Sequence, residues 1–153
     1  MTTHSETRLV PYTPAQMFEL ISDIERYPEF LPWCAAARIR NRQTEGETEI
    51  VDGDLIISFK VFRERFGSRV TMNPNQGKID VSYLDGPFKR MVNSWTFRQA
   101  PENQCELNFF VDFEFKSRTL QALIGVVFEQ AMHQVVRAFE TRAAALYGPK
   151  AAE

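Results

Sequence analysis

The chain is poor in the side chains that usually build metal sites and disulfides. Its 153 residues include two cysteines, Cys34 and Cys105, and two histidines, His4 and His133. The cysteines lie far apart and form no CxxC pair, so neither a disulfide framework nor a zinc site is indicated. Two histidines without clustered cysteines also give no metal-binding pattern. We therefore predict no bound metal, and two reduced, buried cysteines.

Several other features are missing. No run of 18 apolar residues is present, which predicts no transmembrane span, and the polar residues 1–6 do not resemble a signal peptide. Motifs such as GxSxG, GxGxxG, the P-loop and HExxH are absent. The net charge of −2 disfavours wholesale wrapping of nucleic acid, so we predict no DNA partner. These absences predict a cytoplasmic protein, with peripheral contact at the cytoplasmic membrane as a further option.

Phenylalanine is abundant, with 13 copies in a composition that is otherwise ordinary for a globular protein. The length fits one domain, which we place over residues 1–153 with an ordered core at about 6–148. Thr13, Pro14 and Gln16 predict the start of a helix, because they match an N-cap, a first helical position and a capping box. Pro28 is expected to end this first helix.

The middle of the chain has the pattern of an antiparallel sheet. Apolar residues alternate between 37 and about 116, interrupted by turn residues, and the short turns leave no room for parallel crossovers. After Ser117 or Thr119, apolar residues recur at steps of three and four until Gly148-Pro149, which predicts one long helix. The predicted fold is α+β, with a curved antiparallel sheet of six to seven strands wrapped around a long C-terminal helix.

The segment Tyr27–Cys34 is unusually apolar for a connection between elements. Pro28 and Pro32 rule out a continuous helix or a central strand, because proline lacks an N–H donor and has a fixed φ. Its aromatic residues must be buried against something. Two interpretations follow: a loop packed on its own core, or the rim of an apolar cavity that holds a lipid-like small molecule.

Few polar residues suggest chemistry. Asn93 lies on the apolar face of its strand, where it could bind a ligand carbonyl or satisfy a backbone group. Asp112 and Glu114 alternate with apolar residues and are expected on the solvated face. We find no convincing acid or base on the apolar face, and we predict no catalytic residues.

Four segments resemble the coenzyme Q-binding proteins of the START-like, or polyketide cyclase, superfamily, and the resemblance extends from about Glu6 to Tyr147. These segments are Tyr27–Cys34, Asp85–Lys89, Asn93 with Trp95 and Phe97, and Asp112–Ser117. The resemblance implies a helix-grip fold with a hydrophobic tunnel, and binding of ubiquinone in support of respiration. A bacterial branch of the family is described as a toxin that blocks ribosomal subunit association.

The tunnel that this resemblance implies would be lined by apolar residues of the loop, the strands and the last helix. The predicted ligand-binding residues are Phe30, Trp33, Leu55, Ile57, Phe59, Met91, Asn93, Trp95, Phe109, Val111, Leu123, Val127, Phe128, Ala131 and Val135.

Three hypotheses about function follow. The first is binding of ubiquinone or a related isoprenoid without turnover, with the quinone as ligand and no cofactor. The second is contact with the ribosome or RNA through a local basic patch, since arginines cluster in two stretches. They are Arg38, Arg40, Arg42, Arg63, Arg65 and Arg69. The third is an enzyme of the cyclase type, which the missing acid or base disfavours.

Overall fold

A computed structural model of the chain describes residues 2–59 and 62–148. Its seven strands form one antiparallel sheet in the order β1-β7-β6-β5-β4-β3-β2. A short helix follows β1 and a long one follows β7. The elements are β1 (Thr2–Val10), α1 (Pro14–Ser22), β2 (Cys34–Glu45), β3 (Thr48–Phe59), β4 (Phe62–Asn73), β5 (Lys78–Asp85), β6 (Phe88–Ala100), β7 (Gln104–Phe115) and α2 (Arg118–Tyr147). This confirms the predicted fold.

The first helix begins as predicted and ends earlier. The side chain of Thr13 accepts from the Gln16 N–H, and the Gln16 side chain accepts from the Thr13 N–H, which completes the capping box. However, α1 ends at Ser22, and a 3₁₀ segment over Ile24–Glu29 contains Pro28. Proline is tolerated there because the hydrogen bonds of this segment avoid its missing N–H: the Phe30 N–H, for example, donates to the Tyr27 carbonyl.

The second and third strands are paired along their whole length, with two irregularities, one near Cys34 and one in the middle of β2. The register between them shifts between Ile39 and Asn41, which marks a β-bulge at Arg40. Gly53 lies opposite, where an added Cβ would meet the Arg38 carbonyl oxygen at 3.2 Å. The pair Asp52-Gly53 therefore lies inside one strand, at a close approach between two backbones.

The inner face of the sheet is dry and the outer face carries paired charges. In β7 the residues Cys105, Leu107, Phe109, Val111 and Phe113 are buried. The alternate residues point outward, and the Asp112 and Glu114 carboxylates form ion pairs there with Arg90. Both acids therefore lie on the solvated face, as the alternation predicted.

Helix α2 closes the open side of the curved sheet. The Ser117 side chain caps it by accepting from the Leu120 N–H, and the chain leaves it at Gly148, whose φ is +82°. Pro149, the other residue of the predicted stop, lies outside the described residues. The Phe139 side chain is 1% exposed and packs at the centre of the core. Within residues 2–59 and 62–148, no helix is long and apolar enough to cross a bilayer.

Candidate functional site: an apolar cavity between the sheet and the long helix

A cavity of about 190 Å³ lies where the inner face of the sheet and α2 do not meet. Five strands, the 3₁₀ segment and α2 form its wall. The lining residues are Ile24, Tyr27, Leu31, Gly53, Leu55, Phe66, Ser68, Val70, Ile79, Val81, Phe88, Met91, Asn93, Trp95, Phe109, Val111, Phe113, Val135 and Phe139. The wall is therefore built almost entirely from aliphatic and aromatic side chains.

Part of the predicted lining set is brought together here. The strands contribute six of these residues and α2 contributes one: Leu55, Met91, Asn93, Trp95, Phe109, Val111 and Val135. They share a wall because residues two apart on a strand face the same side and neighbouring strands pair in register. For example, Asn93 lies opposite Val111. Whether these residues contact a ligand stays a prediction.

A second, smaller space of about 60 Å³ lies beside the first. The predicted residues Ile57 and Phe59 line this space, not the larger cavity. Phe66 and Phe88 line both, and their ring centroids are 5.3 Å apart. These two rings therefore form the partition between the two spaces.

The loop contributes different residues from those predicted. Ile24 and Tyr27 line the cavity, since residues three apart share one side of a 3₁₀ segment. Phe30 lies outside the cavity wall, where its ring contacts Phe139 and the Arg142 guanidinium covers it at 5.1 Å. Trp33 also lies outside, with its ring against Phe59 at 5.5 Å. The apolar loop is thus partly core and partly cavity wall, and that the cavity holds a lipid-like molecule stays a prediction.

Four predicted residues in the first half of α2 also lie outside the cavity wall. Leu123 and Val127 are half-buried, and Phe128 and Ala131 are buried. The Phe128 ring, for instance, packs edge-on against the Phe113 ring at 5.1 Å. The helix reaches the cavity only through Val135 and Phe139, which are one turn apart on the same helical face.

Several lining residues were missing from the prediction. The alternation of Phe66, Ser68 and Val70 along β4 contained the signal, because residues two apart face the same side of the sheet. Val81 and Ile79 alternate in the same way on β5. Sequence alternation identifies an inward face, yet it does not tell which inward side chains border a void.

The polar groups of the cavity wall are few and neutral. The Asn93 side-chain amide donates to the Phe110 carbonyl oxygen at 2.8 Å, so one of its two N–H groups satisfies the backbone. Ser68 is 5% exposed and adds one hydroxyl. The Tyr27 hydroxyl donates to the Ile21 carbonyl oxygen. Burial is the main cause of the raised pKa of this phenol, and electrostatic interactions with Cys34 and Asp23 raise it further. Tyr27 is therefore a neutral donor at physiological pH.

Most arginines on the outer face of β2 to β4 are paired with acids. The Arg40 guanidinium contacts Asp54 at 2.5 Å and Asp85 at 3.0 Å, and Arg65 contacts the same two carboxylates. Hydrogen bonds from Arg40 are the main reason why the pKa values of Asp54 and Asp85 are lowered. Arg69 pairs with Asp52 in the same manner. Most of the predicted basic patch is thus neutralised by adjacent acids.

Comparison with known sequences identifies relatives over the whole chain. Residues 10–140 match the family described as polyketide cyclase / dehydrase and lipid transport. The ribosome association toxin RatA of Rickettsia prowazekii is 39% identical over 147 residues, covering 94% of this chain and 97% of that protein. The mitochondrial coenzyme Q-binding protein COQ10 homolog B of Xenopus laevis is 29% identical over 149 residues, covering 95% of this chain and 59% of that protein.

Solved structures agree with the fold. The solution structure of an 18 kDa protein from Caulobacter crescentus has a TM-score of 0.80 at 37% identity, covering 97% of this chain and 100% of that one. The Zhui aromatase/cyclase of a Streptomyces species has a TM-score of 0.78 at 17% identity, covering 98% of this chain and 96% of that one. At this identity the comparison shows a shared fold alone. The predicted relationship is confirmed, and the chain belongs to the polyketide cyclase / dehydrase and lipid transport family, with its START-like helix-grip fold.

Proposed function

We propose that this protein binds ubiquinone or a related isoprenoid lipid in the cavity between the sheet and α2, without turnover, in support of respiratory electron transport. The observation that carries the proposal is the apolar cavity of about 190 Å³ inside a domain of this family. A relative named as a coenzyme Q-binding protein supports the choice of ligand. An apolar void costs stability, because its wall loses contacts that a guest restores.

The volume limits what the cavity holds in the observed conformation. At about 190 Å³ it exceeds the ~150 Å³ engineered cavity that binds benzene. It is smaller than the roughly 300–1,000 Å³ of most ligand pockets. We infer that the cavity holds the quinone ring, and that the tail needs space beyond it.

The smaller space behind Phe66 and Phe88 provides a path for the tail. Apart from Glu64 on β4, it is lined by apolar side chains, which include Phe115, Leu120 and Ile124. Rotation of the two partition rings would join both spaces into one channel along α2. Apolar contact alone holds such a tail, because each buried CH₂ contributes ~0.8 kcal/mol.

The chemistry of the wall supports binding rather than catalysis. Among the lining residues described by the structure, Tyr27 is the one with a titratable side chain, and its raised pKa keeps it protonated. General acid–base catalysis needs a group that changes its protonation state near the working pH. Ser68 and the second N–H of Asn93 can instead donate to a quinone carbonyl oxygen.

The chain offers its own reporter for a binding test. Its two tryptophans are Trp33 and Trp95, and Trp95 lines the cavity. In a Trp33→Phe variant, short-chain ubiquinone should quench the remaining fluorescence saturably at one molecule per chain. Each additional tail CH₂ that becomes buried should tighten binding about fourfold, the equivalent of ~0.8 kcal/mol.

Lipid extraction of the purified protein followed by mass spectrometry should also recover a quinone or another isoprenoid. Ubiquinone without its tail is the control ligand, and it should bind more weakly than the tailed forms. Extracts that never contain such a lipid, together with quenching that does not saturate, would refute the proposal.

Ribosome association is a second candidate, favoured by relatives that carry this name, one of them 39% identical to this chain. Arg38 and Arg63 are exposed, and they belong to none of the ion pairs found among the described residues. We expect wild-type protein to co-sediment with ribosomal subunits at low salt, and an Arg38→Ala/Arg63→Ala variant to do so severalfold less, because phosphate contacts depend on unpaired cations. Lack of co-sedimentation by the wild type would exclude this candidate.

A further inference from the structure

Both histidines of the chain meet at a single carboxylate, on the side of α2 that faces β1. The His4 Nε2 atom lies 2.9 Å from Glu6 Oε1, and the His133 Nδ1 atom lies 3.0 Å from the same oxygen. The two imidazole centroids are 5.0 Å apart. One nitrogen from each ring and one carboxylate oxygen thus lie within 4.8 Å of one another.

The fold creates this cluster from residues that are distant in sequence. His4 and Glu6 are two apart on β1, so both side chains point to the same face of the strand, toward α2. Pairing with β7 fixes β1 in register, with His4 opposite Val111 and Glu6 opposite Phe109. Helix α2 passes over this face and supplies His133.

The surroundings orient the carboxylate toward the two rings. The Arg8 guanidinium contacts the other carboxylate oxygen, Glu6 Oε2, at 2.9 Å, which leaves Oε1 directed at the histidines. A second contact of Arg8, to Glu140 at 2.5 Å, balances its charge. Arg8 and the nearby Arg137 offset the two carboxylates of Glu6 and Glu140, so the attraction for a cation comes from the three ligand atoms themselves. Partners of this kind in the outer shell fix the ligands of metal sites.

The donor set and its spacing suit a divalent transition metal. Two imidazole nitrogens and one carboxylate oxygen are a common three-ligand set for Zn²⁺, with bond lengths of about 2.0–2.2 Å and a fourth position left open. Ligand atoms around a tetrahedral ion are then ~3.3 Å apart. The two measured separations from Glu6 Oε1 need only a few tenths of an ångström to match. Each imidazole must carry its proton on the other ring nitrogen when the metal binds.

One side of the cluster is buried and the other is accessible to solvent, as an open metal site requires. The side chains of His4 and Glu6 are 5% and 7% exposed, whereas that of His133 is 50% exposed. The His4 ring lies near the rings of Phe109 and Phe128, at 6.2 and 6.3 Å between centroids. The inner side is therefore buried and apolar, and the side at His133 gives water and the ion a way in.

We propose that His4, Glu6 and His133 form a binding site for one divalent transition-metal ion of the Zn²⁺ type, with a fourth position open to solvent. The ion would join the edge strand β1 to α2 and so stabilise the closed sheet around the helix. Inward-pointing charges on an edge strand can alternatively serve only to prevent strand association. Metal titration separates these two explanations.

The test uses tag-free protein that has been freed of metal by a chelator. Zn²⁺ is titrated by calorimetry, and Co²⁺ by its visible absorption, which reports tetrahedral nitrogen and oxygen coordination. We expect one ion per chain, and a melting temperature that rises with Zn²⁺ concentration, because an ion that binds only the folded state stabilises it. Loss of one direct ligand in His133→Gln or Glu6→Gln should weaken binding by at least ~100-fold, since even outer-shell changes cost 10–100-fold.

Two features of the design keep the outcome clear. His133 is half-exposed, so His133→Gln should fold even if substitution of the buried His4 does not. Glu102→Gln, an exposed change in the turn between β6 and β7, is the matched control and should bind as the wild type does. Absence of one-to-one binding in the wild type would overturn the proposal. Equal binding by wild type and His133→Gln would overturn it too, by placing the ion elsewhere.

Discussion

Replacement of Val135 by phenylalanine should weaken ubiquinone binding at least about tenfold, which corresponds to 1.4 kcal/mol. Val135 is one of two α2 residues that line the cavity. A benzyl group at this position would project into the space of about 190 Å³ that we assign to the quinone ring. The fluorescence titration described above, in the Trp33→Phe background, measures the change. Far-ultraviolet circular dichroism checks that the variant is folded.

The same helix supplies a matched control. Val126 is 85% exposed, and Val126→Phe makes the same chemical change on the opposite side of α2. It should leave quinone affinity unchanged. Overpacking by Val135→Phe can cost ~1–3 kcal/mol of stability, so Val81→Phe on the opposite wall provides a second variant with the same expected loss of binding. If both cavity variants bind ubiquinone as the wild type does, the ring does not occupy this cavity.

Removal of the Phe139 ring should lower the free energy of unfolding by about 3–5 kcal/mol, the usual cost of truncating a buried phenylalanine to alanine. Phe139 is 1% exposed, and its ring contacts those of Tyr27, Phe30 and Trp95 at centroid distances of 5.1 to 5.4 Å. The residue therefore joins α2, the 3₁₀ segment and β6. Phe139→Ala also adds the volume of the missing ring to the existing cavity. The destabilisation that the cavity causes therefore increases. Urea denaturation of the ligand-free protein measures the change.

Two further variants test whether the loss of stability comes from the buried volume of the Phe139 ring. Leu146→Ala changes a side chain on the same helix that is 52% exposed, and should alter stability by no more than ~0.5 kcal/mol. Phe139→Leu retains much of the buried volume and should fall between the two. A cost below ~1 kcal/mol for Phe139→Ala would show that the site collapses around the missing ring, contrary to the packing described here.

Local sequence signals predicted the elements well where one residue has one dominant role. The Thr13–Gln16 capping box, the Ser117 cap and the alternation along β7 each depend on neighbours within a few residues. They are accordingly found where predicted. Pro28 was harder to interpret, because the same missing N–H is compatible with a loop or with a 3₁₀ segment.

The candidate site was predicted less completely, and the reason is geometric. Alternation placed Met91, Trp95 and Phe109 on the inner face, and all three line the cavity. It placed Phe128 and Ala131 on the buried stripe of α2 equally well, yet these buried residues do not border the void. The local distance between α2 and the sheet determines which buried side chains pack against a neighbour and which border the cavity.

The sequence by itself determined the order and type of the elements, the dry face of each strand and the apolar stripe of the last helix, because these follow from short-range periodicity and capping. Only the tertiary structure decided where the void lies, that acids neutralise Arg40, Arg65 and Arg69, and that His4 and His133 share one carboxylate. The physical reason is that voids and ion clusters depend on contacts between distant segments. Such contacts are set by sheet curvature and helix placement, which no local pattern encodes.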